Sequence, residues 1–200
     1  NRFDDQLNNL WDDNGIVLDG VSDMRNAILI ETFSGVGCFW SESRGIYYDI
    51  YYQNLDANGD AQLEDQGVNI VDSNGDDYIM AVLPTPDDKY MVFWMEDTWP
   101  AASLKYSKID EQGNTEIGWN PNGNGLSTAS SDSRYLQVQS IDSGMLAVWI
   151  QEGNFSDIYA QFIDWDGNIL WQDGGVPIAQ GDNDQVNVSF SFNENNTHSF

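Results

Sequence analysis

The chain predicts an all-β fold, a β-propeller built from four-stranded antiparallel blades with no significant helix. Three observations predict it: a repeat of about 54 residues, alternating strand-length runs inside each repeat, and glycine-centred turns on the same schedule. Phe39-Trp40-Ser41-Glu42 recurs as Phe93-Trp94-Met95-Glu96 and, one residue longer, as Val148-Trp149-Ile150-Gln151-Glu152. Asp49-Ile50-Tyr51-Tyr52-Gln53-Asn54-Leu55-Asp56 matches Asp157-Ile158-Tyr159-Ala160-Gln161-Phe162-Ile163-Asp164, with residues 103–110 as a degenerate middle copy. Gly59, Gly113 and Gly167 follow these blocks. Such self-similarity marks units that bury an apolar face against their neighbours.

In the third unit, residues 135–141 alternate as a strand and 145–150 follow the turn Asp142-Ser143-Gly144, so the two form a hairpin. Residues 157–163 are a third strand, and the turn at 164–168 leads to 169–171 and a short fourth strand at 176–179, where Pro177 requires a sheet edge. The same template places strands at 26–33, 36–40, 49–55 and 62–71, then at 78–83, 90–96, 103–109 and 115–128. No segment carries the apolar period of a helix. The predicted organisation is one propeller or propeller fragment: a partial blade at 1–19, blades at 20–72, 73–129 and 130–180, and a partial blade at 181–200.

A second signature keeps this register. Trp11, Leu63, Trp119 and Trp171 each stand four residues before a glycine: Gly15, Gly67, Gly123 and Gly175. Arg2-Phe3-Asp4 aligns with Asn54-Leu55-Asp56, and residues 185–192 read as a first strand, so both ends fall within blades. Exposed mid-sheet edges invite aggregation, which favours a slice of a larger propeller and makes the rest of a longer chain a partner.

The 200 residues carry 26 aromatic side chains (eight Trp, nine Tyr, nine Phe) and 40% apolar content, enough for a sizeable core. Thirty-three acidic against seven basic residues give a net charge of −26, which repels phosphate backbones and anionic lipid surfaces, so nucleic acid is excluded as a partner. No run is long and apolar enough for a membrane span, so no membrane insertion is expected. Cys38 lies in an apolar run and reads as a buried, inert thiol.

At Asp157-Ile158-Tyr159-Ala160-Gln161-Phe162-Ile163-Asp164-Trp165-Asp166-Gly167-Asn168-Ile169-Leu170-Trp171 and Gly174-Gly175-Val176-Pro177-Ile178-Ala179, the chain resembles propeller repeats of large secreted bacterial surface proteins. In that group a tryptophan-acidic motif precedes a "DIYAQ" block, a turn and a Trp–Gly pair. Many such proteins end in a sorting domain for type IX secretion, so the resemblance implies a secreted or cell-surface location. It carries no catalytic motif.

Asp56-Ala57-Asn58-Gly59-Asp60 and Asp164-Trp165-Asp166-Gly167-Asn168 open like calcium loops but lack the downstream bidentate glutamate, and a hairpin turn needing positive φ accounts for them. Asp72, Asp76 and Asp77, in a loop joining two blades, are the stronger metal candidates, with calcium as the cation. The spacing of Asp164, Gly167 and Trp171 departs from a sialidase Asp-box, and the arginines fall at unrelated repeat positions. His198 is the only histidine, so a catalytic triad or a histidine metal site is not expected, and no catalytic residue is assigned. Trp40, Trp94, Trp149, Gly59, Gly113 and Gly167 read as structural repeat positions, and Glu42, Glu96 and Glu152 as a recurrent structural acid.

Position-specific residues on the loops between second and third strands are the ligand-binding candidates: Arg44, Tyr47, Trp99 and Phe155. Aromatic side chains on loops stack on sugar rings or anchor protein partners. The expected function is an exported, non-enzymatic binding or adhesive module whose partner is a glycan or a surface protein. The alternatives are a purely structural repeat segment of a large surface protein and a secreted glycan-processing enzyme.

Overall fold

A computed structural model describes residues 23–32, 34–128 and 132–186, with Gln6, Asn8 and Leu18. The partial unit at 1–19 with Arg2, Trp11 and Gly15, the end of the first expected strand at Phe33, the last unit beyond Val186 and His198 fall outside them, except for the three residues just named.

Twelve strands form three separate antiparallel sheets of four, each ordered as the chain runs. The first contains β1 (Met24–Glu31), β2 (Gly35–Glu42), β3 (Asp49–Asp56) and β4 (Val68–Val71). The second contains β5 (Asp76–Pro84), β6 (Tyr90–Asp97), β7 (Ala102–Ile109) and β8 (Asn124–Gly125). The third contains β9 (Asp132–Ile141), β10 (Gly144–Glu152), β11 (Asp157–Asp164) and β12 (Val176–Ala179). No helix occurs among the described residues. The fourth strands are shorter than expected: 62–71 and 115–128 contribute only β4 and β8, and the segment before each touches the third strand through an isolated bridge, Leu55 with Ala61 and Ile109 with Thr115.

The expected β-propeller is corrected by this arrangement. The first sheet packs on the second and the second on the third, but among the described residues the three remain separate and no ring of blades or barrel closes. A sequence period reports how neighbouring units pack, and that packing is the same in an open row as in a ring.

Each unit is centred on one tryptophan of its second strand. Trp40, Trp94 and Trp149 are fully buried, and truncating such a residue to alanine costs about 3–5 kcal/mol. Their rings lie on Gly67, Gly123 and Gly175, where an added Cβ would come 2.6, 2.2 and 2.4 Å from the indole. This contact explains the glycine of the second signature: it is the floor on which the second-strand tryptophan of the same unit rests. Trp40 and Trp149 also stack on Tyr51 and Tyr159, at 6.1 Å between centroids in both units.

The turns after the third strands repeat in detail. Asp56, Asp110 and Asp164 each accept two backbone N–H bonds through Oδ1, from residues two and four positions on, at 2.8–3.0 Å. Gly59, Gly113 and Gly167 sit at φ of 89°, 83° and 83°, which suits glycine. The two later turns dock on the preceding sheet: Gly113 faces Tyr52, Val68 and Ile70, and Gly167 faces Trp119 and receives a 2.9 Å bond from the Tyr106 hydroxyl. The calcium-like loops at 56–60 and 164–168 are therefore hairpin turns whose first carboxylate binds its own backbone.

The sheets meet through two apolar layers. Phe39, Ile50, Tyr52 and Ile70 pack on Ile79, Val82, Tyr90 and Val92; Phe93, Leu104, Tyr106 and Leu126 pack on Leu136, Met145, Ala147 and Ile163. An aspartate clamps the loop between second and third strands in each unit. Asp76 Oδ1 accepts from the Tyr48 N–H at 2.9 Å, Asp132 Oδ1 from Ala102 at 3.1 Å, and Asp184 Oδ1 from Ser156 at 3.0 Å. Cys38 is buried as expected, and burial pushes its thiol up to about 11.

Candidate ligand-binding face at the loop ends

The loops between second and third strands span 43–48, 98–101 and 153–156. They lie at the end of the sheets that carries the aspartate clamps, because each clamp bonds the residue that closes such a loop. The opposite end carries the tight turns after the first and third strands. Loops free of ladder pairing can present side chains to solvent, and these do so with large apolar groups.

Trp99 is 86% exposed and sits at φ 24°, in a loop where its N–H bonds Asp97 Oδ1 at 3.2 Å. A tryptophan at positive φ, out in water, has little to gain from its own fold. Tyr47 and Phe155 are exposed on the flanking loops, and Ile46, not singled out by the sequence reading, is exposed beside Tyr47. Three of the four candidates are thus presented at one end of the molecule.

Arg44 is different. Its Nε and Nη2 bond Glu42 Oε2 at 2.9 and 2.7 Å, Nη2 also reaches the Gln66 carbonyl at 2.6 Å, and the guanidinium lies 3.7 Å from the Tyr51 ring centre. Glu42 in turn accepts the Trp40 N–H at 2.9 Å. Arg44 therefore ties loop, strand and tryptophan together, and its donors face its own unit.

The recurrent acid is also reassigned in one unit. Glu42 pairs across the ladder with Asp49 and Glu96 with Ser103, whereas in the third unit Gln151, not Glu152, pairs with Asp157. Glu152 lies one residue further and accepts from the Ser156 hydroxyl at 2.9 Å. The extra residue of that copy moves the acid out of the repeat position.

A cluster that the sequence reading missed stands at the first joint. The Tyr48 hydroxyl donates to Asp23, Arg25 pairs with Asp23 at 3.6 Å and lies 4.5 Å above the Tyr48 ring, and Tyr48 and Tyr78 are 5.3 Å apart. The Tyr48 hydrogen bond holds the Asp23 carboxyl below its ordinary value. These residues come from three segments of the chain, so only the register of the joint could have assembled them.

The three metal candidates have different surroundings. Asp76 gives one oxygen to the Tyr48 clamp, Asp72 is exposed, and Asp77 is buried with both carboxylate oxygens lacking a hydrogen-bond partner. Among the described residues no group of three or more His, Cys, Asp or Glu side chains is placed to hold a metal ion. Burial is the main cause that raises Asp77 to about 7; Glu96 and Asp49 add to it, while Ser73 and Lys105 oppose it. Asp49 is raised to about 6 by partial burial and by Asp72 and Asp76. Burial disfavours the charged form of a carboxylate, which is why both groups release their protons at higher pH than usual.

The chain matches no protein-family model and no curated protein.

Proposed function

We propose that this chain is a non-enzymatic binding module of an exported or cell-surface protein, taking a glycan or a protein surface at the loop ends through Tyr47, Trp99 and Phe155. The observation that carries this reading is the presentation of Trp99, an indole 86% exposed on a short loop, with Tyr47 and Phe155 exposed on the corresponding loops of the flanking units. Such rings stack on the apolar faces of sugars or fill a pocket on a protein partner. The charge of −26 directs the choice of ligand toward neutral or cationic surfaces. The resemblance of residues 157–171 to repeats of secreted bacterial surface proteins supports the location.

The test is retention of the protein on a panel of immobilised neutral polysaccharides and on cell-surface protein extracts. Retention on one of them, lost in Trp99→Ala and weakened in Tyr47→Ala and Phe155→Ala, is the expected result. Retention that survives all three substitutions overturns the reading.

A second reading is a purely structural repeat segment of a larger surface protein. The engagement of Arg44 within its own unit favours it, since the one cationic loop candidate faces inward. Absence of retention on every surface would favour this second reading.

A further inference from the structure

At the loop end of the sheets the chain twice holds a guanidinium between a tyrosine ring and a carboxylate. Arg44 lies 3.7 Å from the Tyr51 ring centre and pairs with Glu42 at 2.7 Å; Arg25 lies 4.5 Å from that of Tyr48 and pairs with Asp23 at 3.6 Å. Stacking and ion pairing reinforce each other in both. The loop at 98–101 offers the same two groups. Trp99 is 86% exposed, and Asp97, two residues before it, accepts the Trp99 N–H through Oδ1 at 3.2 Å.

This loop also carries unrelieved charge. Asp97 stands directly opposite Asp76 in the ladder, and like charges so placed are unfavourable unless a cation joins them. Gly75 lies against Thr98, which brings the loop of the exposed Asp72 alongside. The cations among the described residues are committed elsewhere: Arg25 to Asp23, Arg44 to Glu42, Arg134 to Asp132, Lys105 to Glu96, and Lys89 and Lys108 to Asp87. Arg134 is near enough to feel Asp97, yet its ion pair is with Asp132. A partner can supply the missing cation.

We propose that the loop end, centred on Trp99, takes arginine side chains of a basic protein segment, which stack on the exposed rings and pair with the carboxylates beside them. This rests on the reading of the loop ends as the binding face and chooses among the ligands that reading allows. Arginine is favoured over lysine because its planar group stacks on a ring and forks to a carboxylate at once, as Arg44 does on Tyr51 with Glu42. Tyr47 is the second ring, exposed on the corresponding loop of the first unit with Asp49 two residues on, so the segment crosses from one unit to the next. The net charge of −26 draws a basic chain to the molecule.

Fluorescence anisotropy with a labelled peptide of alternating arginine and glycine tests this, beside lysine–glycine and serine–glycine peptides, an amino polysaccharide and a neutral one. The arginine peptide is expected to bind more tightly than the lysine peptide, the serine peptide not at all, and binding to weaken as salt is raised. Trp99→Leu, which keeps an apolar side chain and loses the face of the ring, should weaken the arginine peptide about fivefold, and Trp99→Phe should recover part of that loss. Asp97→Asn, which keeps the oxygen that accepts the Trp99 N–H, should weaken it about threefold. Asp88→Asn, in the turn between β5 and β6 at the opposite end, should leave it unchanged. Failure of the arginine peptide to bind, indifference to Trp99→Leu, or equal weakening by Asp88→Asn and Asp97→Asn would each overturn the proposal. Binding of the neutral polysaccharide through Trp99, with none of the arginine peptide, would overturn it and leave the binding face in place. Tighter binding of the amino polysaccharide through Trp99 would also overturn it, and would assign the face to a cationic glycan.

Discussion

The second and third units have nearly the same backbone and fasten it in different ways. In the third, Gln161 is buried between the third strand and the segment that follows: its Nε2 donates to the Gln172 carbonyl at 2.7 Å, and its Oε1 accepts from Phe162 and Trp171 at 2.9 and 3.1 Å. Gln53 makes the same three bonds in the first unit, to Glu64, Asn54 and Leu63. In the second unit the position is Ser107, whose buried hydroxyl finds no partner among the described residues. A serine is too short to bridge the gap that the amide spans. The second unit is held elsewhere, by the Lys105–Glu96 ion pair at 2.7 Å and by Trp119 under the Gly167 turn. Conserved geometry in a repeat therefore does not require conserved fastening, and the unit that sequence alone marks as degenerate is the one whose internal latch is missing.

Gln161→Ala breaks the comparison most strongly. It leaves the Trp171 N–H and the Gln172 carbonyl without their partner and opens a cavity, so a loss of about 3 kcal/mol in chemical denaturation is expected. Next comes Gly123→Ala, with a loss of about 2 kcal/mol or more, since its Cβ would stand 2.2 Å from Trp94 at a φ of 76°. Trp94 is the sharper case because its N–H has no partner, whereas that of Trp40 bonds Glu42; packing alone positions it. Intrinsic tryptophan fluorescence and unfolding curves of Gly123→Ala and Gly67→Ala measure the difference.

A smaller effect comes from Asp77, at the joint between the first and second units. Its carboxyl releases its proton at about 7 when folded and at the ordinary 3.8 when unfolded, so between those values the folded state binds more protons. Stability therefore falls as pH rises from about 4 to 7 and is regained on acidification. Asp49, raised to about 6, acts in the same direction. For Asp87 burial is the largest single influence and raises the pKa, but hydrogen bonds from Lys108 and Thr85 help bring it down to about 2, so its opposing effect is confined to more acid solution. Thermal melts should show the melting temperature rising by a few degrees from pH 7.5 to pH 5, with the rise reduced in Asp77→Asn.

The smallest effect is expected of Ser107→Ala. Removing a buried hydroxyl that bonds nothing should change stability by less than about 0.5 kcal/mol, or raise it slightly, in contrast to Gln161→Ala. Equal losses in the two variants would show that the latch does not distinguish the units.

Alternation and turn chemistry are local signals, and they made the strands legible: the third-strand expectations at 49–55, 103–109 and 157–163 fall on β3, β7 and β11. Ring closure was not legible, because it depends on contacts between units far apart in sequence, on which a period of neighbouring units is silent. Loop exposure was read at Tyr47, Trp99 and Phe155, since a position-specific aromatic residue has no repeat role to fill. Arg44 looked the same in sequence, yet its partners Tyr51 and Gln66 stand seven and 22 residues away, and only the ladder brings them within reach. Asp76 was read for its charge, and the structure uses it for one backbone bond.

That bond has a consequence for how such a molecule can change over generations. Each aspartate clamp accepts a hydrogen bond from a main-chain N–H, and the residues that donate it are Tyr48, Ala102 and Ser156, which share no side-chain character. Natural substitution can rewrite the loops up to the clamped residue without loosening the row of sheets. The parts that fasten the protein and the parts that meet its surroundings are then free to diverge at different rates, and new specificities can arise on an unaltered frame.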